Sequence, residues 1–393
     1  MEVARRMRSI PPYLFADLDR KRAALRSKGI DVISLGIGDP DLPTPAHIID
    51  ALADAARNPI THTYPPYEGT AEFRRAVAAW YGRRFGVPLD PEREVLTLIG
   101  SKEGLAHVPW VFLNPGDVAL VSDPGYPVYA VAARMAEADP YPVPLDRERG
   151  WLPDLAAIPQ DVARRAKVLF LNYPNNPTAA TADLDFFNDV VAFARRHNVL
   201  VVHDNTYSEI AYEGYRPPSF LEASGAKDVG VEFHSLSKTY CMTGWRLGFV
   251  VGNGDAVQAL ATLKTNIDSG QFAAIQAAGV AALTGPQGVV RERVAVWEQR
   301  RNMAVAGLRA AGLDAPMPRA TFYLWVPVPS GFDSVSFADH LLERAGVVVT
   351  PGLGYGERGG QYVRLSLTAP DERVKEAIAR IRDRLGVAAP PAR

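Results

Sequence analysis

Residues 235–252 read SLSKTYCMTGWRLGFVVG: one lysine among hydroxyls, an arginine downstream, then an apolar run closed by glycine. An amine held near neutrality attacks carbonyl carbon, so Lys238 is a candidate nucleophile toward an aldehyde. Ser235, Ser237 and Arg246 offer hydroxyl and guanidinium contacts to an anion on the same ligand. A surface loop running into a buried strand accounts for the same residues, and this segment alone leaves both roles open.

Other segments carry residues of matching chemistry. In IGSKEGLAH (99–107) a strand runs into Gly100-Ser101-Lys102, where a helix begins. Small residues at such a turn let backbone N–H groups approach a phosphate. The span is too short for a Walker loop. In SDPGYPVY (122–129) Tyr126 sits in a Gly-Tyr-Pro turn that would display its ring at a sheet edge; an ordinary turn with a packed tyrosine fits equally well. LNYPNNPTAA (171–180) holds Asn175 and Asn176 between two prolines, which stiffen the loop and fix where an amide points. VLVVHDNTYSEI (199–210) ends a strongly apolar strand on Asp204, where a bare carboxylate is costly to desolvate. The sequence offers it no obvious arginine, so Asp204 either caps a helix or meets a protonated ring nitrogen. Tyr207 falls on the same side if a helical turn starts there. In QYVRLSL (361–367) Arg364 interrupts a buried strand, either as an internal ion pair or as a two-point holder of a substrate carboxylate.

Elements of one kind must position these residues. The runs 95–99, 118–121, 168–171, 199–202 and 247–252 are short, apolar and β-branched, and stretches such as LDFFNDVVAFARRH (184–197) carry helical spacing between them. That alternation predicts an α/β fold with a parallel sheet covered on both faces. Functional residues then belong on loops beyond the carboxyl ends of the strands. Near residue 285 the pattern changes: a long helix closing at Gly312 precedes strand-like runs at 321–328, 346–352 and 362–367, a helix over about 371–385 and a frayed AAPPAR tail. The predicted division is an amino-terminal arm that is part of a smaller α+β domain (1–45), a large domain (46–284) and the small carboxyl-terminal domain (285–393). A chain of 393 residues is long enough for two such domains.

Composition narrows the function classes. Charged residues make up 22% and the net charge is -1, so no field favours nucleic acid or an anionic membrane. The single cysteine, Cys241, suits a reducing cytosol and reads as a small filler. The basic start MEVARRMRSIPPYLF is followed by no apolar run of signal-peptide or membrane-span length, which predicts a cytoplasmic protein. Histidines are scattered, with no metal-binding spacing, and His203 reads as a core neighbour of Asp204. The glycines of PGLGYGERGG (351–360) read as a flexible loop near a substrate mouth.

Taken singly, each motif is matched by an ordinary structural role, but together they supply every part needed to hold pyridoxal phosphate and an amino acid. From LGIGDPDLPTP (35–45) to YVRLSL the chain resembles the class I/II aminotransferases, fold-type I pyridoxal-phosphate enzymes, through NPT, D-x-x-Y and SLSK…GWRLG in that order. The resemblance implies a fold with a mostly parallel central sheet in a large domain and a smaller α+β domain. It makes Lys238 the Schiff-base lysine, Asp204 the partner of the pyridine nitrogen, and Tyr207 and Asn176 the donors to the phenolic oxygen. It makes Tyr126 the stacked ring, and puts Gly100, Ser101, Lys102, Ser235, Ser237 and Arg246 around the cofactor's phosphate side. Arg364 and the backbone of Gly38, with Ile37 and Asn176 beside them, match the substrate-binding positions. Tyr64 matches a tyrosine that reaches the neighbouring subunit's phosphate, which implies a homodimer with shared active sites; Tyr67 is the other candidate.

The vocabulary GSKEG, HTYPPYEG, VVHDN and TNIDSG looks most like the LL-diaminopimelate branch, and alanine, aspartate and aromatic aminotransferases share much of it. Side-chain choice would fall to Tyr13, Ile37, Lys102, Glu103 and Tyr323. Lys102 and Glu103 are candidates for a distal charge on the substrate, or else serve phosphate and cap a helix. A β-lyase or decarboxylase would use the same frame, and an effector-sensing regulator domain is the non-enzyme alternative.

Overall fold

The computed structural model describes residues 2–10, 20, 23, 27 and 29–385, so Tyr13 and the AAPPAR tail lie outside the described residues. The strands are β1 (Ile33–Ser34), β2 (Val95–Leu98), β3 (Val118–Asp123), β4 (Asp139–Pro144), β5 (Ala166–Asn172), β6 (Leu200–Asp204), β7 (Gly230–Ser235) and β8 (Gly248–Gly252). Then come β9 (Tyr323–Pro327), β10 (Val347–Val348), β11 (Thr350–Pro351) and β12 (Tyr362–Ser366).

β2 to β8 form one seven-stranded sheet in the order β2-β8-β7-β6-β5-β3-β4. Pairing is parallel from β7 through β4, while β8 runs antiparallel to both of its neighbours. The sheet is α/β, as the resemblance implied. Alternate residues feed cores on opposite faces: Leu169 and Leu171 of β5 pack with Phe73, Phe187 and Ala278, whereas Val168 and Phe170 pack with Leu105, Tyr129 and Leu260. Both faces are therefore covered by helices, which is why these strands read as continuous apolar runs rather than alternating ones.

Two strands of this seven-stranded sheet escaped the sequence pattern, as did the two-residue β1 outside it. β4 (DPYPVP) is an edge strand, the one place in a sheet where repeated proline is tolerated. β7 buries Glu232 and His234 in mid-sheet, and its polarity hides its role.

A second core gathers Trp297, Val305, Phe322, Phe337, Val374 and Ile378 with Ile33 and Leu35. β11, β12 and β9 form an antiparallel sheet there, and β1 pairs in parallel with β10. The helix Gly288–Ala310 joins the two cores, with Val290 in the first and Trp297 and Leu308 in the second. Residues 351–360 are not the flexible loop that their glycines suggested. They form short 3-10 helices, with Gly125 N donating to Tyr355 O at 2.7 Å and Arg358 N to Asp123 Oδ1 at 3.2 Å. A side chain on Gly352 or Gly359 would meet the other's backbone, so these glycines serve close packing. Among the described residues no helix is long and apolar enough to cross a membrane.

Candidate active site

Because β3, β5, β6 and β7 run parallel, their carboxyl ends share one edge of the sheet, and the loops leaving them surround a cavity of about 400 Å³. Ile37, Gly38, Ser101, Lys102, Tyr126, Asn176, Asp204, Tyr207, Ser235, Ser237, Lys238, Arg246 and Arg364 all line it. Residues spread over most of the chain thus converge on one site. Tyr64 does not: it is 84% exposed and outside the cavity lining of its own chain.

Lys238 lies in the short helix Leu236–Thr239, whose amino end is capped by Ser235 Oγ accepting from Ser237 N at 3.2 Å. Its Nζ donates to Gly38 O at 2.6 Å. Burial pushes the amine down to about 8; Asp39 opposes the shift and Arg364 and Arg246 reinforce it. An amine so placed is a competent nucleophile at neutral pH. The shift also costs stability. A lysine whose folded pKa lies below its unfolded value destabilises fully below pH 8, and the cost fades as pH climbs toward 10.5. Lys238→Met in the cofactor-free chain is therefore expected to gain about 1–2 kcal/mol at pH 7, after loss of the Gly38 contact. Urea melts at pH 7 and pH 10 check this: the gain should shrink at the higher pH.

Asp204 ends β6 and is buried. Oδ1 accepts from Thr206 Oγ1 at 2.6 Å and Thr206 N at 3.3 Å, and Oδ2 accepts from the Tyr129 hydroxyl at 2.9 Å. Burial raises its pKa while these neutral donors pull it back. Among the described residues no lysine or arginine makes an ion pair with it. No helix follows; residues 206–209 form a turn, so the helix-cap alternative fails and a turn cap stands in its place. His203 points away, as expected of a core neighbour. Its Nε2 accepts from Tyr173 N at 3.3 Å, so Nδ1 carries the proton and donates to Glu232 Oε2 at 2.8 Å.

The opposite wall is built for an anion. Gly100 has φ +76°, and a side chain there would run into the Arg246 guanidinium, so only glycine lets that cation lie over the turn. Arg246 itself sits at φ +56°, with Nη1 donating to Thr243 O at 2.8 Å. Ser101 opens the helix Ser101–Phe112, and its Oγ lies 3.5 Å from Thr206 Oγ1, linking this turn to Asp204's loop. Lys102 Nζ lies 5.9 Å from the Tyr126 ring centre; burial, then Arg246, lowers its pKa. Glu103 turns away from the cavity. It accepts at 2.9 Å from the backbone N of Ile99, the residue before the helix's N-cap Gly100, and lies 2.9 Å from His107 Nδ1. It thus braces the chain entering the helix and makes neither a capping box nor contact with the cavity.

On the remaining side Arg364 donates to Asn176 Oδ1 at 2.8 Å and to Gly36 O at 2.6 Å, and its guanidinium lies 4.2 Å from the Tyr323 ring centre. The Tyr323 hydroxyl is 2.9 Å from that of Tyr207. Asn176 is held by Asn172, whose Oδ1 accepts Asn176 N at 2.7 Å and whose Nδ2 donates to Asp204 O at 2.6 Å. Asn172, Thr206 and Thr243 also line the cavity and Tyr129 buttresses it, and none was singled out from sequence. Thr206, two residues after Asp204, carries the spacing of an Asx turn; Tyr129 follows Tyr126 at helical spacing; Asn172 and Thr243 carry no such mark.

The model of the aminotransferase class I and II family matches residues 30–381. The chain belongs to that family. It is 57% identical over 386 residues to an LL-diaminopimelate aminotransferase of Moorella thermoacetica, covering 98% of this chain and 99% of the relative. It is 58% identical over 379 residues to one of Syntrophobacter fumaroxidans, covering 96% and 98%. Substrate-bound BacF from Bacillus subtilis superposes with a TM-score of 0.94 at 40% identity, over 98% of each chain. Aspartate aminotransferase from Thermus thermophilus with maleate superposes at 0.91 and 29% identity, over 98% and 99%. The protein is thus a fold-type I aminotransferase that works with pyridoxal 5'-phosphate. Its cavity fits that group: an amine with a lowered pKa, a buried carboxylate without a cationic partner among the described residues, and the Arg246 guanidinium lying over the Gly100 turn beside Ser101 all face one space, though Gly100 itself is not in the lining.

Proposed function

We propose that the protein moves the amino group of LL-diaminopimelate to a 2-oxo acid. The observation that carries the reading is the shared cavity of Lys238, Asp204 and Arg364, with the Lys238 amine drawn toward neutrality. The high identity to enzymes bearing that substrate's name supports the donor. Bound pyridoxal 5'-phosphate supplies an aldehyde carbon and a ring able to accept electrons from the substrate's Cα.

In this reading Ser101, Ser235, Ser237 and Arg246 hold the phosphate, with the Gly100 turn admitting it, and Tyr126 packs on the ring. Asp204 holds a proton at the ring nitrogen, while Tyr207 and Asn176 orient the phenolic oxygen. Lys238 Nζ would hold the aldehyde carbon covalently and, when free, would be the base that carries the proton from the substrate's Cα to the aldehyde carbon on the far side of the amino nitrogen. Arg364, Asn176 and the backbone at Gly38, beside Ile37, hold the α-carboxylate. Lys102 is the cation in reach of a distal carboxylate.

A homodimer belongs to the same reading. Tyr64, Ile60, Tyr67, Ile267 and Phe272 are exposed on adjoining segments, an apolar surface that a second copy would cover while Tyr64 enters its site. The division at residues 45 and 284 and a cytoplasmic location complete it. The test is a visible absorbance scan of the purified holoenzyme. Its yellow band should bleach at lower concentrations of LL-diaminopimelate than of glutamate, alanine, aspartate or phenylalanine. A different leading donor overturns the substrate, and no bleaching with any donor overturns the residue roles.

A further inference from the structure

Beside the anion-binding turn lies an ionic cluster with no part in the reaction. Lys264, at the end of the helix Gly254–Thr265, is 1% exposed. Its Nζ sits 2.7 Å from Asp268 Oδ2 and 3.7 Å from Glu103 Oε2. A cation so buried is costly unless its partners are fixed, and both are. Glu103 Oε2 accepts from Ile99 N at 2.9 Å, bracing the residue just before Gly100, and Oε1 is buried 2.9 Å from His107 Nδ1. Asp268 Oδ1 accepts from Gly270 N at 2.7 Å. Gly270, at φ +85°, packs so closely on Pro65 and Pro66 that an added Cβ would lie 3.1 Å from Pro65 Cγ and 3.2 Å from Pro66 O.

A continuous path therefore runs from the Gly100-Ser101 turn through Glu103, Lys264, Asp268 and Gly270 to the segment that follows Tyr64. We propose that Lys264 is a positioning residue that clamps the anion-binding turn of its own site to the Pro65–Tyr67 segment, so that one buried cation sets both. The proposal rests on the phosphate role given above to Gly100 and Ser101. Lys264 itself touches no cavity atom, so its effect should fall on phosphate affinity and leave the chemical step alone.

The test uses the full chain freed of cofactor, with inorganic phosphate titrated by calorimetry and pyridoxal 5'-phosphate by equilibrium dialysis. Lys264→Met should weaken both about tenfold, the scale of one lost charge-assisted contact. The donor KM at saturating cofactor should stay within about twofold. Adding Glu103→Gln to Lys264→Met should cost little more, because the two act through one contact. Lys264→Arg should restore part of the affinity. If Lys264→Met fails to fold, Asp268→Asn, on the more exposed partner, carries the same comparison. Unchanged phosphate affinity with a lowered melting temperature would make Lys264 a packing residue and overturn the clamp, as would fully additive losses. A wild-type chain that takes up no pyridoxal phosphate would instead sink the functional reading, while the inorganic phosphate arm still judges the clamp.

Discussion

Lys238→Ala is expected to lower transamination by at least about 10⁴-fold, because one side chain is asked for two jobs. In the proposed roles it would hold the cofactor's aldehyde carbon and would move the proton off the substrate's Cα. Proton transfer by a positioned group alone is worth about 10²–10⁴-fold. The hydroxyls of the lining, Ser237 and Thr243 among them, offer no amine in exchange. Ser101, Ser235 and Arg246, the proposed phosphate holders, remain in the variant, so it should still bind pyridoxal phosphate but without a covalent link to residue 238. Borohydride treatment followed by peptide mass analysis separates the two cases: the wild-type peptide gains the cofactor mass and the variant gains none. Small primary amines added to the variant should restore a measurable part of the proton transfer, which a merely misfolded chain would not allow. A variant that transaminates at the wild-type rate would refute the assignment.

Much of this site was readable because its chemistry is written in residue types that a buried strand end tolerates poorly. Asp204 after VLVV and Arg364 within YVRLSL each break an apolar run, and the expense of burying them is what marked them. Gly100 was readable for the opposite reason, as a residue with no side chain at a strand-to-helix turn. What stayed hidden depends on atoms meeting across the fold. Tyr129 reads as an ordinary helical aromatic until its hydroxyl is found on Asp204, and Asn172 reads as one more loop amide until it is seen holding both Asn176 and the Asp204 backbone. Glu103 misled by adjacency: it neighbours Lys102 in sequence, but the helical turn sends it back toward Ile99. The sheet was legible wherever both faces are apolar. It was not legible at β7, where Glu232 is satisfied by His203, His234, Asn205 and Ser219, partners no local pattern reveals. Lys264 belongs to the same class, an isolated lysine whose burial is set by contacts from separate segments.

Asp204→Asn should lower kcat on the order of 10³-fold while leaving the fold intact. The amide has the same shape: its Oδ1 can still accept from Thr206 while its Nδ2 donates to the Tyr129 oxygen, but it carries no charge to hold a proton at the ring nitrogen. Without that proton the ring is a poorer acceptor for the electrons left at Cα, so the loss should appear in kcat far more than in KM. Stability should move the other way. Burial raises the Asp204 pKa, so in the cofactor-free chain the carboxylate is a cost that grows as pH rises above its unfolded value. Replacing it with a neutral amide removes that cost, and the variant's melting temperature at pH 7 should equal or exceed the wild type's. Tyr129→Phe tests the same logic by a smaller step. The tyrosine donates to the charged form, so its loss should raise the Asp204 pKa further and carry the acid limb of the kcat profile to higher pH. If Asp204→Asn keeps full activity, or fails only because it unfolds, this carboxylate is structural, and the ring nitrogen needs no partner from this chain.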